Sequence, residues 1–283
     1  ATSEFSAVHL RAVRESMINA QWARTTINER IRTIVNMLKY CASLDMIPPD
    51  PYHKAITLAP LKANRSAARE TIPIKPPKIE HIEGVKERVT RSVRAMIELQ
   101  MLTGCRPGEI TQLKREDIDT TGDVWQYEVK SHKNSWRGRK RTIYFGRKAQ
   151  AILKTFFLMR KSGEYLFQPA DFYRERHEET PTSRRPGQKP NTRKSDRKIN
   201  PCYDTRAYAK AIAHACKEDH NRGREAIPHW APNALRHYAA SELRKAYGIE
   251  VTRAVLGHAN LSTSEIYAEL DDAVIKRVMN EIG

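Results

Sequence analysis

Apolar residues recur at intervals of three and four along most of this chain, the spacing of one buried face on a helix. In "TTINERIRTIVNMLKYCASL" the stripe is Ile27, Ile31, Ile34, Val35 and Leu38, with Thr25 or Thr26 offered as an N-cap. Arg24, Arg30, Arg32 and Lys39 fall on the opposite face, which is either simply solvated or turned toward an anionic partner. Upstream, "SAVHLRAVRESMINA" carries Val8, Leu10, Val13 and Met17, so residues 5 to 70 are expected to be helical. The stretch "IPPDPY" stops the segment that follows the long stripe.

The helical pattern lapses between residues 70 and 82, where "ETIPIKPPKIEHI" places three prolines that cannot continue a helix. This divides the chain into a helical domain over 1–72, an extended linker over 73–82 and a larger domain over 83–283. Helix resumes over 83–103 and stops at Gly104, a natural residue for a left-handed C-terminal cap. Then the period changes to two. Trp125, Tyr127 and Val129 alternate, a polar turn follows, and Thr142, Tyr144 and Phe145 resume. A small antiparallel hairpin or three-stranded sheet is expected there, then a helix over 147–160 and helices through most of 203–281. The fold class is mainly α with a small antiparallel β-sheet (α+β).

Charge narrows the partners. The 283 residues hold 50 Lys and Arg against 33 Asp and Glu, a formal net charge of +17. Such a chain repels itself unless an anionic surface is present, which means nucleic acid or an acidic membrane. No apolar run approaches the ~18 residues of a membrane span, and "ATSEFSAVHL" lacks the regions of a signal peptide. Nucleic acid is therefore expected. Seven basic residues and one acidic residue crowd "SRRPGQKPNTRKSDRK" (183–198), which has no apolar periodicity and reads as a mobile DNA-contacting loop through Arg184, Arg185, Arg193 and Lys194. The four cysteines are scattered and form no C-x-x-C pair, as expected of reduced thiols in a cytoplasmic, nucleoid-associated protein. A zinc site from Cys202, Cys216 and His220 matches no common module, so no metal is expected.

Three motifs carry candidate chemistry. "TGCRPGEITQL" (103–113) puts Arg106 just before Pro107 at a helix start, where free N–H groups favour an anion. "HWAPNALRHYAASELRKAYG" (229–248) begins a helix after Pro232 with Asn233 and Arg236 on one face. In "VLGHANLSTSEIYAEL" (255–270) a short apolar helix ends at Gly257 and His258 follows in the turn. Ser262 and Glu265 fit a capping box, and Tyr267 stands nine residues after the histidine. Taken singly, His258 reads as a structural histidine and Tyr267 as a core aromatic.

Together, in this order and spacing, these motifs resemble those of the tyrosine recombinase (phage integrase) family, and the resemblance covers nearly the whole chain. It implies that the segment over 1–72 is a core-binding domain, short for the four-helix version, so that a helix or an arm-binding domain is expected ahead of it. It implies that 83–283 is catalytic. Arg106, Arg236 and His258 would hold a DNA phosphate, and Tyr267 would attack it to form a 3′-phosphotyrosine. Lys133 in "SHKNSWRGRKR", with Lys130 as the other candidate, would protonate the leaving 5′-oxygen. The bond energy kept in the phosphotyrosine makes ATP and metal unnecessary, so no cofactor is implied. Asn233 departs from the pattern, because the family usually has His three residues before its second arginine. An amide can donate a hydrogen bond but cannot carry a proton away.

The partner implied is double-stranded DNA, with four copies of the chain on two duplexes. The apolar stripe of "AELDDAVIKRVMNEIG" (Leu270, Val274, Ile275, Val278, Met279, Ile282) would either fold back or dock in a neighbouring copy. The same chemistry also suits a type IB topoisomerase-like enzyme, and the same fold suits a catalytically impaired DNA-binding protein.

Each phosphate contact on duplex DNA contributes about −0.9 to the log–log salt slope of binding. Replacing Arg184, Arg185, Arg193 and Lys194 by Ala should therefore make the slope shallower by up to about 3.6. Titration of labelled duplex across a salt series checks this, and an unchanged slope removes the loop from the interface.

Overall fold

The computed structural model describes residues 5–72, 75–130, 141–179, 198–217 and 225–257. The chain divides into two compact units, Ala1–Ile74 and Lys75–Gly283.

The first unit contains α1 (Ala7–Asn19), α2 (Arg24–Ser43) and α3 (Asp50–Ile56). Its core gathers Leu10, Ile18, Ile27, Ile31, Leu38, Ala55 and Ala68, with Met17, Ile34, Val35 and Leu61 packed against it. The face of α1 is rotated from the expected stripe. Leu10 and Ile18 are buried, whereas Val8 is 73% exposed. Neither Thr25 nor Thr26 caps α2, whose N-cap is Ala23, with no side-chain hydrogen bond. A tertiary bridge does that work instead: Ala23 pairs in parallel with Arg69, and the Arg24 N–H donates to the Arg69 carbonyl at 2.8 Å. The prolines of "IPPDPY" also open a helix, since Pro51 lies in the first turn of α3.

Arg24 is not available to an anionic partner as its neighbours on α2 are. Its Nε pairs with the Glu70 carboxylate at 2.7 Å, and Nη1 donates to the Leu61 carbonyl. Asn28 completes the strap by exchanging two hydrogen bonds with the Leu61 backbone. Arg30, Arg32 and Lys39 remain exposed.

In the second unit come α4 (Ile79–Lys86), α5 (Arg91–Thr103), α6 (Pro107–Thr111), the strands β1 (Ile118–Asp119), β2 (Trp125–Glu128) and β3 (Thr142–Phe145), then α7 (Arg147–Met159), α8 (Ala170–Glu179), α9 (Thr205–Cys216) and α10 (Asn233–Leu256). Residues 79–82, expected as linker, belong to α4, and Ile82 and Val85 are fully buried. The helix expected over 83–103 is broken between Lys86 and Arg91, where Thr90 caps α5 by accepting from the Val93 N–H.

Helix α5 forms the centre of this unit. Val93, Met96, Ile97 and Leu99 are buried on several sides of it, and it packs against α10, α7, α6 and β3. Each such side chain contributes roughly 1.5–3 kcal/mol on burial. The sheet has order β1–β2–β3 and is antiparallel throughout. Trp125 pairs with Phe145 and Tyr127 with Ile143 on the buried face, while Gln126 and Tyr144 pair on the other. One further hydrogen bond, Val129 N–H to the Arg141 carbonyl at 2.8 Å, brings residues 129 and 141 side by side. A buried polar knot ties α5, α7 and α8 together. Asp171 accepts from Ser92 Oγ at 2.6 Å and from the Arg160 guanidinium, whose Nε donates to the Leu166 carbonyl.

Helix α10 is two helical pieces joined at Gly248, whose backbone is not helical, and it ends on Gly257 in a left-handed C-cap. No helix among the described residues is long and apolar enough to cross a membrane.

Gly104 ends α5 with φ at 62°, and a Cβ there would lie 2.4 Å from Leu256 Cδ2. Both the conformation and the clash oppose a side chain. Gly104→Ala should lose about 2–4 kcal/mol of stability, read as a lower urea midpoint at unchanged slope; a loss under about 0.5 kcal/mol would show that the junction yields.

Candidate active site

The turn from α5 into α6 is held by its own backbone and by two buried side chains. The Gly104 N–H donates to the Gln100 carbonyl at 2.8 Å, closing α5. Gln100 Nε2 donates to the Cys105 carbonyl at 2.9 Å, and Thr103 Oγ1 accepts from the Cys105 N–H. Cys105 is fully buried, and that burial pushes its thiol up to about 12.

Arg106 follows in extended conformation as the N-cap of α6, with Pro107 in the first turn. The anion at this helix start is supplied from within. Glu109 accepts from the Arg106 N–H at 2.7 Å and from Arg106 Nη1 at 2.8 Å. The Arg106 side chain is still about one third exposed (34%), while that of Glu109 is only 5% exposed.

Arg236 lies in the first turn of α10 and is buried, at 4% exposure. Its two terminal nitrogens donate to the Gly104 carbonyl at 2.6 Å and the Leu256 carbonyl at 2.7 Å. Gly104 is two residues before Arg106, and Leu256 is two residues before His258. A single guanidinium thus joins stretches from three parts of the sequence. Asn233, one turn earlier on α10, is exposed, and its Nδ2 lies 3.5 Å from His237 Nε2. Burial, aided by the charge of Arg236, lowers the pKa of His237, which favours the neutral ring.

Sequence reasoning passed over Arg141, one basic residue among 50. It precedes β3, and its side chain is 5% exposed. Its Nη1 donates to the Val255 carbonyl at 2.8 Å, and its Nε stands 3.6 Å from Glu109 Oε1. Glu109 therefore lies between two guanidiniums. Burial alone would raise its pKa, but the Arg141 charge and the bonds from Arg106 outweigh it and hold the carboxyl below its ordinary range. Burial pulls Arg141 down, against the opposing pull of Glu109.

Of the two lysine candidates, Lys130 is ion-paired with Asp117 at 2.5 Å, and that hydrogen bond raises its pKa. Lys133, His258 and Tyr267 lie outside the described residues, as do Arg184, Arg185, Arg193 and Lys194 of the basic loop, His220 and the C-terminal stripe. The cysteines are all free. Among the described residues no cluster of His, Cys, Asp and Glu could hold a metal ion.

This geometry sits in a known type of chain. Residues 79–273 match the family model described as the phage integrase family, and the protein belongs to that family. It is 27% identical over 188 residues to tyrosine recombinase XerC of Proteus mirabilis, covering 66% of this chain and 50% of that protein. It is 22% identical over 287 residues to XerC of Chlamydia trachomatis, covering 99% of this chain and 78% of that one. The chain thus spans about half the length of the first of these relatives.

Among solved structures, the Tn1549 transposon integrase in complex with circular intermediate DNA superposes with a TM-score of 0.65 at 14% identity, over 98% of this chain and 86% of that one. A λ integrase dimer bound to a COC′ core site gives 0.61 at 13% identity, over 94% and 80%. These likenesses establish the fold, mostly helical with a small three-stranded antiparallel sheet.

Removing one partner of a buried ion pair leaves an uncompensated charge and costs about 3 kcal/mol or more. Glu109→Gln should lose about that much at pH 7 in urea denaturation. The depressed carboxyl also fixes the sign with pH: its stabilisation is complete above the unfolded value near 4.5 and is lost as pH falls through the lower folded value. The variant should therefore show less acid-induced loss than the parent over that window. Equal acid sensitivity in both would exclude Glu109 as a contributor.

Proposed function

We propose that this protein is a site-specific DNA recombinase or integrase that cuts and rejoins duplex DNA through a 3′-phosphotyrosine on Tyr267. The observation that carries the reading is the pair of hydrogen bonds that Arg236 donates to the Gly104 and Leu256 carbonyls, which draws the Arg106 turn and the end of α10 to one place. The family match and the DNA-bound neighbours support it.

A phosphodiester is a poor electrophile because its charge repels nucleophiles, and in-line attack concentrates negative charge on the non-bridging oxygens. Arg106, with the second N–H of each Arg236 terminal nitrogen and His258, meets that charge as it develops. Loss of one such donor costs about 3 kcal/mol of barrier, a hundredfold or more in rate. The Tyr267 phenol, with an ordinary pKa near 10, needs that positive field and a proton acceptor. Asn233 can help orient the phosphate but cannot take the proton. Lys133 protonates the departing 5′-oxygen, a role for which ion-paired Lys130 is the weaker candidate. The covalent link stores the bond energy, so a 5′-hydroxyl from a second strand reverses the step without ATP or metal.

In this reading residues 1–72 form the core-binding domain, and Arg30, Arg32 and Lys39 join the basic loop in gripping DNA. Four copies assemble on two duplexes, with the C-terminal stripe passed to a neighbour in a ring, a heterologous contact that closes when the rotation allows.

Tyr267→Phe should bind duplex DNA within about threefold of the parent, about 0.7 kcal/mol, yet form no covalent adduct. Denaturing electrophoresis with a labelled, nicked suicide substrate reads this directly. An adduct that persists in the variant transfers the role to another tyrosine, with Tyr203, Tyr208 and Tyr238 next in line.

A further inference from the structure

Arg141 is more deeply buried than a surface cation should be, and it is incompletely satisfied. Its side chain is 5% exposed, yet among the described residues Nε and Nη2 have no hydrogen-bond partner. A buried donor left unpaired costs about 1–3 kcal/mol, and an apolar side chain of similar volume would avoid that cost. Stability therefore does not account for a guanidinium here, while its contacts suggest another role. Nη1 holds the Val255 carbonyl at 2.8 Å. Gly257, two residues on, has φ at 63°, and a Cβ there would lie 2.7 Å from Arg141 Nη1 and 3.1 Å from Cδ. The guanidinium occupies the space a side chain at 257 would need, and it fixes the turn from which residue 258 departs. On its other side Nε stands 3.6 Å from Glu109, the carboxylate that also binds Arg106.

We infer that Arg141 is a positioning residue for the reaction proposed above, on which this inference rests. It braces the Gly257 turn and shares the charge of Glu109, so that Arg106 is oriented by that carboxylate without being captured by it. With Arg141 gone, Arg106 is the one close cationic partner of Glu109 among the described residues, and the carboxylate competes with the DNA phosphate for it. At the same time the turn at 257 loses its brace. Arg141 thereby links the strand that follows the Lys133 segment to both phosphate-binding turns, and it touches no substrate itself.

The test uses the full chain with Arg141→Met and Arg141→Lys, read by single-turnover cleavage of a suicide substrate, by duplex affinity and by hydrogen exchange at the Gly257 amide, which donates to the Ala254 carbonyl at 3.2 Å. In Arg141→Met, cleavage should slow at least tenfold with affinity within threefold, and Gly257 exchange should quicken at least tenfold. Arg141→Lys, which keeps a charge and one donor, should recover part of both. Adding Glu109→Gln to Arg141→Met should raise cleavage above that of Arg141→Met alone, an outcome a purely structural role would not give. If Arg141→Met does not fold, Arg141→Lys alone should still show intermediate losses in both readouts.

Unchanged Gly257 exchange overturns the inference whatever the cleavage rate, and so does quicker exchange with cleavage at the parental rate. If the parent protein forms no adduct at all, the proposed function fails instead. Exchange at Gly257 then decides by itself whether Arg141 braces the turn.

Discussion

The second unit of this protein is organised around one buried cation. Arg236 has both terminal nitrogens committed to backbone carbonyls, one at the end of α5 and one at the end of α10. Hydrogen bonds to a charged donor are worth more than neutral ones, about 1.5–3 kcal/mol each. Among the described residues neither carbonyl has a partner further along its own helix, because both lie where a helix runs out. The cation therefore satisfies two helix ends at once and holds them at a fixed separation. Left-handed glycines make this possible, since Gly104 and Gly257 turn the chain away immediately beside those carbonyls. The arrangement resists substitution at several points, because the side chain at 236 and the absence of one at 104 serve the same junction.

Around that cation the charges alternate. Glu109 is flanked by Arg106 and Arg141, and of the three only Arg106 is appreciably exposed. Arg141 and Glu109 are closed off from water, so their interaction is only weakly screened. Arg106 is the member that still reaches solvent. The buried pair thus forms an electrostatic base, and the outer guanidinium is the part that solvent reaches. In the first unit arginine plays a plainer role. Arg24 is spent on Glu70 and Leu61 and holds the returning chain against α2.

Much of the fold was legible because amphipathic period is a direct consequence of burial. The stripe of α2 and the alternation of Trp125 and Tyr127 follow from it, while the stop at Gly104 follows from glycine's freedom at positive φ. What was misread depended on contacts distant in sequence. Ala23 starts α2 because it pairs with Arg69, and no local pattern records that bridge. The start of α4 was hidden by the prolines just before it, although Ile79, Ile82 and Val85 already carry a helical spacing. In α1, Leu10 and Ile18 face the core and Val8 does not, a choice made by α2 and α3 rather than by α1.

The site divides the same way. Arg106, Asn233 and Arg236 could be singled out because motif order and spacing are one-dimensional. Glu109 stands three residues after Arg106, a spacing that by itself marks only a helix start. Arg141 carried no signal, since a basic residue at the edge of a basic run looks solvated until α6 and the end of α10 are seen against it.

Cys105 gives this junction a further property. Its thiol is fully enclosed beside Gly104 and Arg106, and its pKa, raised to about 12, leaves almost no thiolate near neutrality. A thiol in that state is nearly inert to alkylating and oxidising reagents while the turn is closed. It becomes an ordinary reactive cysteine only when the turn opens. The chain therefore carries an internal chemical clock: the labelling rate at position 105 measures how often the Arg106 turn comes apart.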